Sequence, residues 1–484
     1  MISQETPETS GKSGLGVLSR AFLWVTIGSC ALAFLAAFEN VAVTAVMPTV
    51  STELDGAGLY AIAFAGPFAT GVIGMVVCGM WADRRGPTGP LYASVALFSA
   101  GLLLCGLAGS MEVLVAGRLV QGLGSGAMMV ALYVVVARVY PEELHPKIFA
   151  WFAAAWIVPA LVGPVTAGAV TDLLGWRWVF LGVVVLAALA MLMVVPALGG
   201  LGPEKAKEHG GEGSGRSPAL LVWASLAALA VLVLNLAGEV PRVGWALALA
   251  AAAVALLAVR PLLPAGTLVS RRGLPSIILM RGLGAAAFFA ADVYLPYLFT
   301  DRYGFSPTLA GLTLTFGGLA WSAASALQGR LGERLPHALA VRIGTALVFA
   351  AILSALATAA LGLHPAVPVV GWMVGGAGMG FMYPRLSTLT LSLSAPESRG
   401  ANSSALAISD SLGAALSLAL AGLVFTAFSA LPTSTGSFSG VFAFSAAIAL
   451  AAALLAHRVV PKDHQISTTP HNRKRCPHES HRPA

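Results

Sequence analysis

The chain has 484 residues, of which 57% are hydrophobic and only 10% are charged. This composition excludes an ordinary water-soluble globular protein of this size. The net charge of +7 would suit nucleic acid, but the basic residues lie in short segments between long apolar runs, so we expect them to set membrane topology and not to bind nucleic acid. The apolar runs lack the strict alternation of membrane-spanning strands, and the length of about 20 residues needed by a spanning helix predicts an all-α integral membrane protein.

Six membrane-spanning helices are predicted in the first part of the chain. A cytoplasmic tail, residues 1–21, precedes them, and a glycine-rich, charged segment, residues 199–217, follows them. Nothing in that segment suits burial, so we interpret it as a flexible cytoplasmic linker. The six predicted spans lie near 22–48, 60–81, 89–109, 112–139, 148–171 and 177–198.

Eight more spans are predicted after the linker, which brings the total to fourteen. Two of them fill residues 218–260 and are separated from the last six by a basic stretch. Residues 458–484 form a predicted basic cytoplasmic tail. The eight spans lie near 218–238, 243–260, 275–299, 308–328, 339–362, 366–391, 401–427 and 438–457.

The first six and the last six spans contain an internal repeat. Three short patterns recur at an offset of 250 to 254 residues: GxxxDR at 79–84 recurs as GxxxER at 329–334, GxGxG at 122–126 recurs at 376–380, and AG at 167–168 recurs at 421–422. Residues 218–260 have no counterpart in the repeat. The repeat therefore predicts two six-helix bundles, residues 22–198 and 275–457, with two inserted helices between them.

The distribution of lysine and arginine predicts which loops face the cytoplasm. If the N-terminus is cytoplasmic, the loops predicted to lie outside contain only Arg177, Arg242 and Arg302. An excess of basic residues marks cytoplasmic loops, which predicts the cytoplasmic (inner) membrane as the location and the cytoplasm for both termini. The basic residues predicted inside are Arg84, Arg85, Lys147, Lys205, Lys207, Arg216, Arg271, Arg272, Arg330, Arg334 and Arg399.

The loop after the second span, GMWADRRGP, carries Gly79, Asp83, Arg84 and Gly86. With this spacing the chain resembles the fourteen-helix drug–proton antiporters (EmrB/QacA type) of the major facilitator superfamily over nearly its whole length. The resemblance implies the major facilitator fold and a gating role for the loop, in which Asp83 pairs with Arg399 across the two halves. Pro87 stands where the family usually has a basic residue. The alternative is a basic turn that serves topology alone.

The fourth span contains GRLVQGLGSG, which resembles a second motif of the family and places Arg118 within an apolar helix. A buried arginine stays protonated and needs a carboxylate partner. The resemblance implies that this partner lies in the first span, where Glu39 is the mid-helix acid. We therefore predict Glu39 with Arg118 as the leading proton site. The alternative is a static ion pair that only orients helices.

The fifth span contains IVPALVGPVTAG, in which Gly163, Pro164 and Gly168 resemble the motif that marks antiporters in this superfamily. The resemblance implies exchange of substrate against an ion. Proline removes a backbone donor and glycine permits close helix contact, properties that suit a hinge. The alternative is glycine-mediated packing without a transport role.

Three further charges lie within predicted spans. Asp292 is near the repeat-equivalent depth of Glu39 and is predicted as a second proton or cation site. Asp410 and Arg385 are interpreted either as a structural pair or as functional residues. No cysteine or histidine spacing typical of a metal site occurs, and we expect neither a metal nor a cofactor.

The sequence predicts proton-coupled efflux of amphipathic or hydrophobic small molecules such as drugs or antibiotics. The expected partners are the small-molecule substrate, protons as coupling ion and membrane lipids. Three alternatives stay open: a proton-coupled importer of a nutrient, an exporter of a lipid on the same fold, and a sensor that does not transport. An intramembrane enzyme is disfavoured because no nucleophile, metal set or acid–base pair has the required spacing.

Overall fold

The structure, a computed structural model, describes residues 16–20, 22–141, 144–198, 218–237, 244–331, 334–395, 398–429 and 436–459. Within these ranges it contains fourteen helices that are long and apolar enough to cross a membrane, and it contains no β-strand. The predicted fold class is confirmed. The predicted linker 199–217 and most of both predicted tails lie outside the described residues.

Each predicted span corresponds to one helix. A helix satisfies its backbone hydrogen bonds within the segment, as the hydrocarbon core of a membrane requires. The first bundle consists of α1 (Leu23–Glu53), α2 (Tyr60–Arg85), α3 (Thr88–Gly106), α4 (Met111–Val139), α5 (His145–Leu174) and α6 (Arg177–Leu198). The inserted pair consists of α7 (Pro218–Leu236) and α8 (Gly244–Val259). The second bundle consists of α9 (Leu274–Tyr303), α10 (Pro307–Leu331), α11 (His337–Leu361), α12 (Ala366–Ser392), α13 (Arg399–Ser429) and α14 (Gly436–Leu455).

The GxGxG pattern of α4 lets this helix approach two neighbours at once. A Cβ on Gly126 would clash with the backbone of Gly71 in α2, and a Cβ on Gly124 would clash with the backbone of Phe98 in α3. Residues two positions apart point about 200° apart around a helix. The alternate glycines therefore face opposite neighbours, and their small size permits backbone contact on both sides.

The same arrangement recurs in the second bundle. A Cβ on Gly376 of α12 would clash with the backbone of Gly317 in α10, and Gly378 packs in the same way against Gly344 of α11. Helix α12 thus relates to α10 and α11 as α4 relates to α2 and α3. The repeat seen in the sequence is also a repeat of helix packing.

The two bundles meet through an α5–α10 interface and an α2–α13 interface. We call the end of the molecule at which α1 ends and α2 begins the outer end, because the positive-inside rule predicts that this end faces outward. Near this end, a Cβ on Gly168 would lie 2.5 Å from Cα of Thr308, and a Cβ on Gly422 would lie 2.5 Å from Cβ of Ala61. Gly168 and Gly422 are repeat-related, so the same repeat position permits close helix contact at both interfaces.

Tyrosine side chains add a further connection between the bundles at the outer end. The hydroxyl of Tyr60 in α2 donates to the backbone oxygen of Val293 in α9 at 3.0 Å. Its ring lies 4.9 Å from the ring of Tyr297 and 5.6 Å from the ring of Tyr294, measured between centroids. Aromatic pairs at these separations stabilise a contact beyond their buried area.

The inserted pair lies beside the α2–α13 interface. Helix α7 packs against both α2 and α13, and α8 packs against α7. Val76 of α2, Ala227 of α7 and Leu406 of α13 belong to one buried apolar cluster. Helix α7 is therefore in contact with both bundles.

Candidate functional site

The first candidate site is a buried cluster of three polar side chains. Nη1 of Arg118 donates to Oε1 of Glu39 and, at 2.7 Å, to the side-chain oxygen of Gln121. The amide of Gln121 donates to Oε2 of Glu39, and Nε of Arg118 donates to the backbone oxygen of Ala63 at 2.9 Å. The side chains of Arg118 and Glu39 are 2% and 1% exposed. Two opposite charges thus compensate each other away from water, each with additional hydrogen bonds.

Helical spacing explains how these side chains meet. Arg118 and Gln121 are three residues apart on α4 and therefore share one face of the helix, which points toward Glu39 of α1. The structure brings together the two residues predicted as the leading proton site, and their role in proton coupling stays a proposal. Gln121 was not predicted, although its spacing from Arg118 in GRLVQG is a usable signal.

The second candidate site surrounds Asp292 of α9. Oδ1 of Asp292 accepts a hydrogen bond from the indole Nε1 of Trp372 in α12 at 2.8 Å, and the Asp292 side chain is partly exposed. The indole stacks on the ring of Phe288 with centroids 5.0 Å apart. Within the described part of the chain, Asp292 has this one side-chain hydrogen bond and no ion pair. Its carboxylate therefore differs from that of Glu39, which has a cation beside it.

Asp410 of α13 pairs with Arg281 of α9 and not with Arg385. Nε of Arg281 donates to Oδ1 of Asp410 at 2.8 Å, and the hydroxyl of Tyr383 donates to the same oxygen at 2.9 Å. The guanidinium carbon of Arg281 lies 3.6 Å from the centroid of the Tyr383 ring. Arg281 and Asp410 are 19% and 25% exposed, so this pair is more accessible than the pair of Glu39.

Of the two interpretations of Asp410 and Arg385, the structural pair is wrong for a geometric reason. Arg385 follows Tyr383 by two positions on α12 and therefore points about 200° away from it, where its Nη1 lies 3.2 Å from Nδ1 of His337. Arg281 was not predicted. It is a charge inside the apolar run IILMRGLG, and an intramembrane charge is a usable signal.

The predicted gating motif lies where α2 ends. Gly79 is buried, whereas Asp83 and Arg84 are exposed. Gly86 follows the helix with φ of +81°, a conformation that favours glycine. Arg399 is the first residue of α13, and its side chain lies outside the described part of the structure. The latch between Asp83 and Arg399 therefore stays a prediction.

The predicted antiporter motif lies on α5 at the α5–α10 interface. Helix α5 continues through Pro164 as one helix. Gly168 packs against Thr308, and the backbone oxygen of Pro164 lies where Gly311 has no side chain. Gly163, which directly precedes Pro164, is buried. The motif thus permits backbone contact between the two bundles, and its role as a hinge stays a prediction.

Metal ligands do not cluster in the described residues. No group of three or more histidine, cysteine, aspartate or glutamate side chains there has a geometry that could hold a metal ion. The histidines and the cysteine of the C-terminal tail lie outside the described residues.

Comparison with known proteins gives similarity over most of the chain. The family model of the Major Facilitator Superfamily matches residues 29–362 and 293–478. A probable multidrug-efflux transporter of Mycobacterium tuberculosis is 28% identical over 403 residues, which cover 78% of this chain and 82% of the relative. A multidrug efflux pump of Staphylococcus aureus is 21% identical, with coverage of 81% of this chain and 87% of the relative.

Solved structures show the same fold at low sequence identity. A D-xylose–proton symporter matches with a TM-score of 0.64 and 16% identity, covering 91% of this chain and 98% of that chain. A POT family transporter in complex with a thioalcohol-conjugated peptide also matches with a TM-score of 0.64, at 14% identity, covering 89% of this chain and 94% of that chain. These similarities concern the fold alone, whereas the sequence relatives are efflux proteins by name.

Proposed function

The chain belongs to the major facilitator superfamily, and from this premise we propose that it exports amphipathic or hydrophobic small molecules, such as drugs or antibiotics, in exchange for protons. The names of two relatives, a multidrug-efflux transporter and a multidrug efflux pump, support export. We place the protein in the cytoplasmic membrane with both termini in the cytoplasm, because basic residues are concentrated in the loops on that side.

The observation that carries the proposal is the burial of Glu39 beside Arg118. Burial disfavours the charged form of a carboxylate, whereas a cation in contact favours it. A small displacement of Arg118 would therefore change whether Glu39 holds a proton. Because Glu39 lies on α1 and Arg118 on α4, a rearrangement of these helices during transport would couple protonation to conformation.

Contacts between the bundles support a mechanism in which the two halves rock about a central site. We assign the halves to residues 22–198 and 275–457, with the inserted helices at 218–260. At the outer end, Gly168 packs against Thr308 and Gly422 packs against Ala61. The partly exposed Arg281 and Asp410 lie in the first half of α9 and of α13, on the side that the positive-inside rule assigns to the cytoplasm. This arrangement suits a substrate entering from the cytoplasm.

The proton gradient is large enough for the proposed work. One charge that crosses about 100 mV provides about 2.3 kcal/mol, and one pH unit provides about 1.4 kcal/mol. Together they would support a gradient of several hundredfold for a neutral substrate exchanged against one proton. The sequence contains no GxxxxGK[ST] motif of the kind that binds nucleotide phosphates, and the proposal requires no nucleotide.

The test is efflux of ethidium from cells that express the wild type or a variant, with and without a protonophore. We expect efflux that the protonophore abolishes and that Glu39→Gln removes. Glu53→Gln is the matched control, because Glu53 lies on the same helix but is 48% exposed, and it should retain efflux. Glu39→Asp, which keeps the carboxylate, should restore part of the activity.

Three results would contradict the proposal. Ethidium handling that is identical in wild-type cells and in cells without the protein would exclude multidrug export. Faster accumulation of the dye in expressing cells, driven by the proton gradient, would instead indicate the proton-coupled importer. Loss of efflux in Glu53→Gln as well as in Glu39→Gln would remove the specific role of the buried acid.

A further inference from the structure

The two candidate sites occupy corresponding positions of the internal repeat. The offset of 254 residues that superimposes the GxGxG patterns also superimposes Gly117-Arg118 on Gly371-Trp372. An offset of 253 residues superimposes Glu39 on Asp292. Trp372 therefore stands in the second bundle where Arg118 stands in the first, and each donates a hydrogen bond to the acid of its own bundle.

The two pairs differ in charge. Arg118 provides a permanent cation, whereas the indole of Trp372 is a neutral donor that cannot accept or lose a proton at physiological pH. The position that corresponds to Gln121, which also donates to Glu39, is Gly375. The acid of the second bundle thus has neither the cation nor the amide that hold the acid of the first bundle.

The two acids also differ in access. Glu39 is 1% exposed, while Asp292 is partly exposed. Phe289, one turn before Asp292 on α9, lies 6.0 Å from Phe68 of α2 between ring centroids. Tyr60 of α2 is a titratable group of the other bundle that interacts electrostatically with Asp292, so Asp292 lies close to the interface between the bundles.

Packing fixes the orientation of the indole. Trp372 is 1% exposed and stacks on Phe288, which in turn contacts the edge of Trp321 with centroids 5.7 Å apart. A Cβ on Gly317 would lie 3.0 Å from Cδ1 of the Trp372 ring, so the ring is confined from that side too. The N–H group is thereby held toward Asp292.

We propose that Trp372 is the positioning residue of a second coupling acid, and that its neutral N–H holds the Asp292 carboxylate in place while leaving it able to exchange a proton directly with the space between the bundles. Glu39 exchanges its proton only when Arg118 moves away. Protonation of Glu39 thus depends on the conformation of the protein, whereas protonation of Asp292 depends on the local proton concentration. This inference rests on the proposed proton-coupled export.

The test measures proton-gradient-driven uptake of ethidium into proteoliposomes at a fixed pH gradient over a range of absolute pH. The readout is the pH at which uptake falls to half on the alkaline side, where the acid no longer takes up a proton. Trp372→Phe keeps an aromatic ring but removes a donor that favours the charged carboxylate, so this midpoint should rise, by about one pH unit. Trp372→Arg restores the residue type of the first repeat and should lower the midpoint by at least about one unit.

Trp321→Phe is the matched control. Trp321 lies in the same aromatic cluster as Trp372 but has no hydrogen bond to an acid among the described residues. The pH of half-maximal uptake by the Trp321→Phe variant should therefore equal that of the wild type. Thermal unfolding of each purified variant checks folding, and Trp372→Phe keeps the proposal testable if Trp372→Arg does not fold.

A midpoint in Trp372→Phe that equals the wild-type value, or an equal shift in Trp321→Phe, would overturn the inference while leaving proton-coupled export in place. An Asp292→Asn variant with an unchanged pH profile would overturn it as well. Absence of gradient-driven uptake by the wild type would instead refute the proposed function itself, so the two failures are distinguishable.

Discussion

Replacing Arg118 by methionine should destabilise the protein by about 3–5 kcal/mol, the usual cost of removing one partner from a buried ion pair. The magnitude follows from the exposure of the pair, 2% for Arg118 and 1% for Glu39, because the buried carboxyl group that remains must either stay charged without a cation or take up a proton. The double variant Glu39→Gln/Arg118→Met removes both charges and should recover most of the loss.

An exposed ion pair provides the control. Nη1 of Arg177 lies 2.7 Å from Oε1 of Glu53, but the two side chains are 42% and 48% exposed. Pairs of this kind contribute about 1 kcal/mol or less, so Arg177→Met should change stability little.

The assay is thermal unfolding of the purified protein in detergent, followed with a thiol-reactive dye. Cys78 and Cys105 are buried, so their thiols should become reactive only when the bundle opens. We expect a large fall in apparent melting temperature for Arg118→Met, a small one for Arg177→Met, and an intermediate or wild-type value for the double variant. Equal effects of the two arginine substitutions, or a double variant with the sum of the single effects, would refute the reasoning.

Two further predictions concern contacts within and between the bundles. Gly168→Ala should impair transport strongly, because the added Cβ would lie 2.5 Å from Cα of Thr308 and separate α5 from α10. The control is Gly182→Ala on α6, where an added Cβ would have nothing within 4 Å, and this variant should transport normally. Equal ethidium efflux by both variants would contradict the packing argument. Arg281→Gln should destabilise the protein by about 2 kcal/mol, as expected for loss of a hydrogen bond between charged groups. Arg281→Asp places two acids side by side and should destabilise it too, and the charge exchange Arg281→Asp/Asp410→Arg should recover part of that loss of stability. A double variant no more stable than Arg281→Asp alone would show that the pair does not contribute to stability.

The architecture could be predicted from the sequence because a long apolar segment in lipid must satisfy its backbone hydrogen bonds internally, as a helix does. The largest error in a single helix boundary is at α1, which was predicted to end near residue 48 and instead continues through Pro48 to Glu53. Pro48 does not end the helix, since neighbouring helices can compensate for the lost hydrogen bond in a membrane. The repeated glycines predicted close packing, and the structure shows which neighbour each glycine contacts.

Side-chain partners were harder to predict than helices. The partner of Glu39 was found because the family resemblance specified it, while the partner of Asp410 was not, because α12 presents Tyr383 and not Arg385 toward α13. Trp372 carries no charge and gives no sequence signal of its own. Its relation to Arg118 follows from the repeat offset only when the hydrogen bond to Asp292 is also known. Such contacts depend on how two packed helices are rotated relative to each other, and residue spacing along either helix does not give that rotation.

The most direct test of the central claim uses proteoliposomes that contain the purified protein, an acidic lumen and no membrane potential. The account predicts that ethidium accumulates in the lumen while protons leave it, that collapse of the pH gradient stops both fluxes, and that Glu39→Gln abolishes the coupling. Accumulation that persists without the gradient, or dye and protons that move in the same direction, would contradict proton antiport.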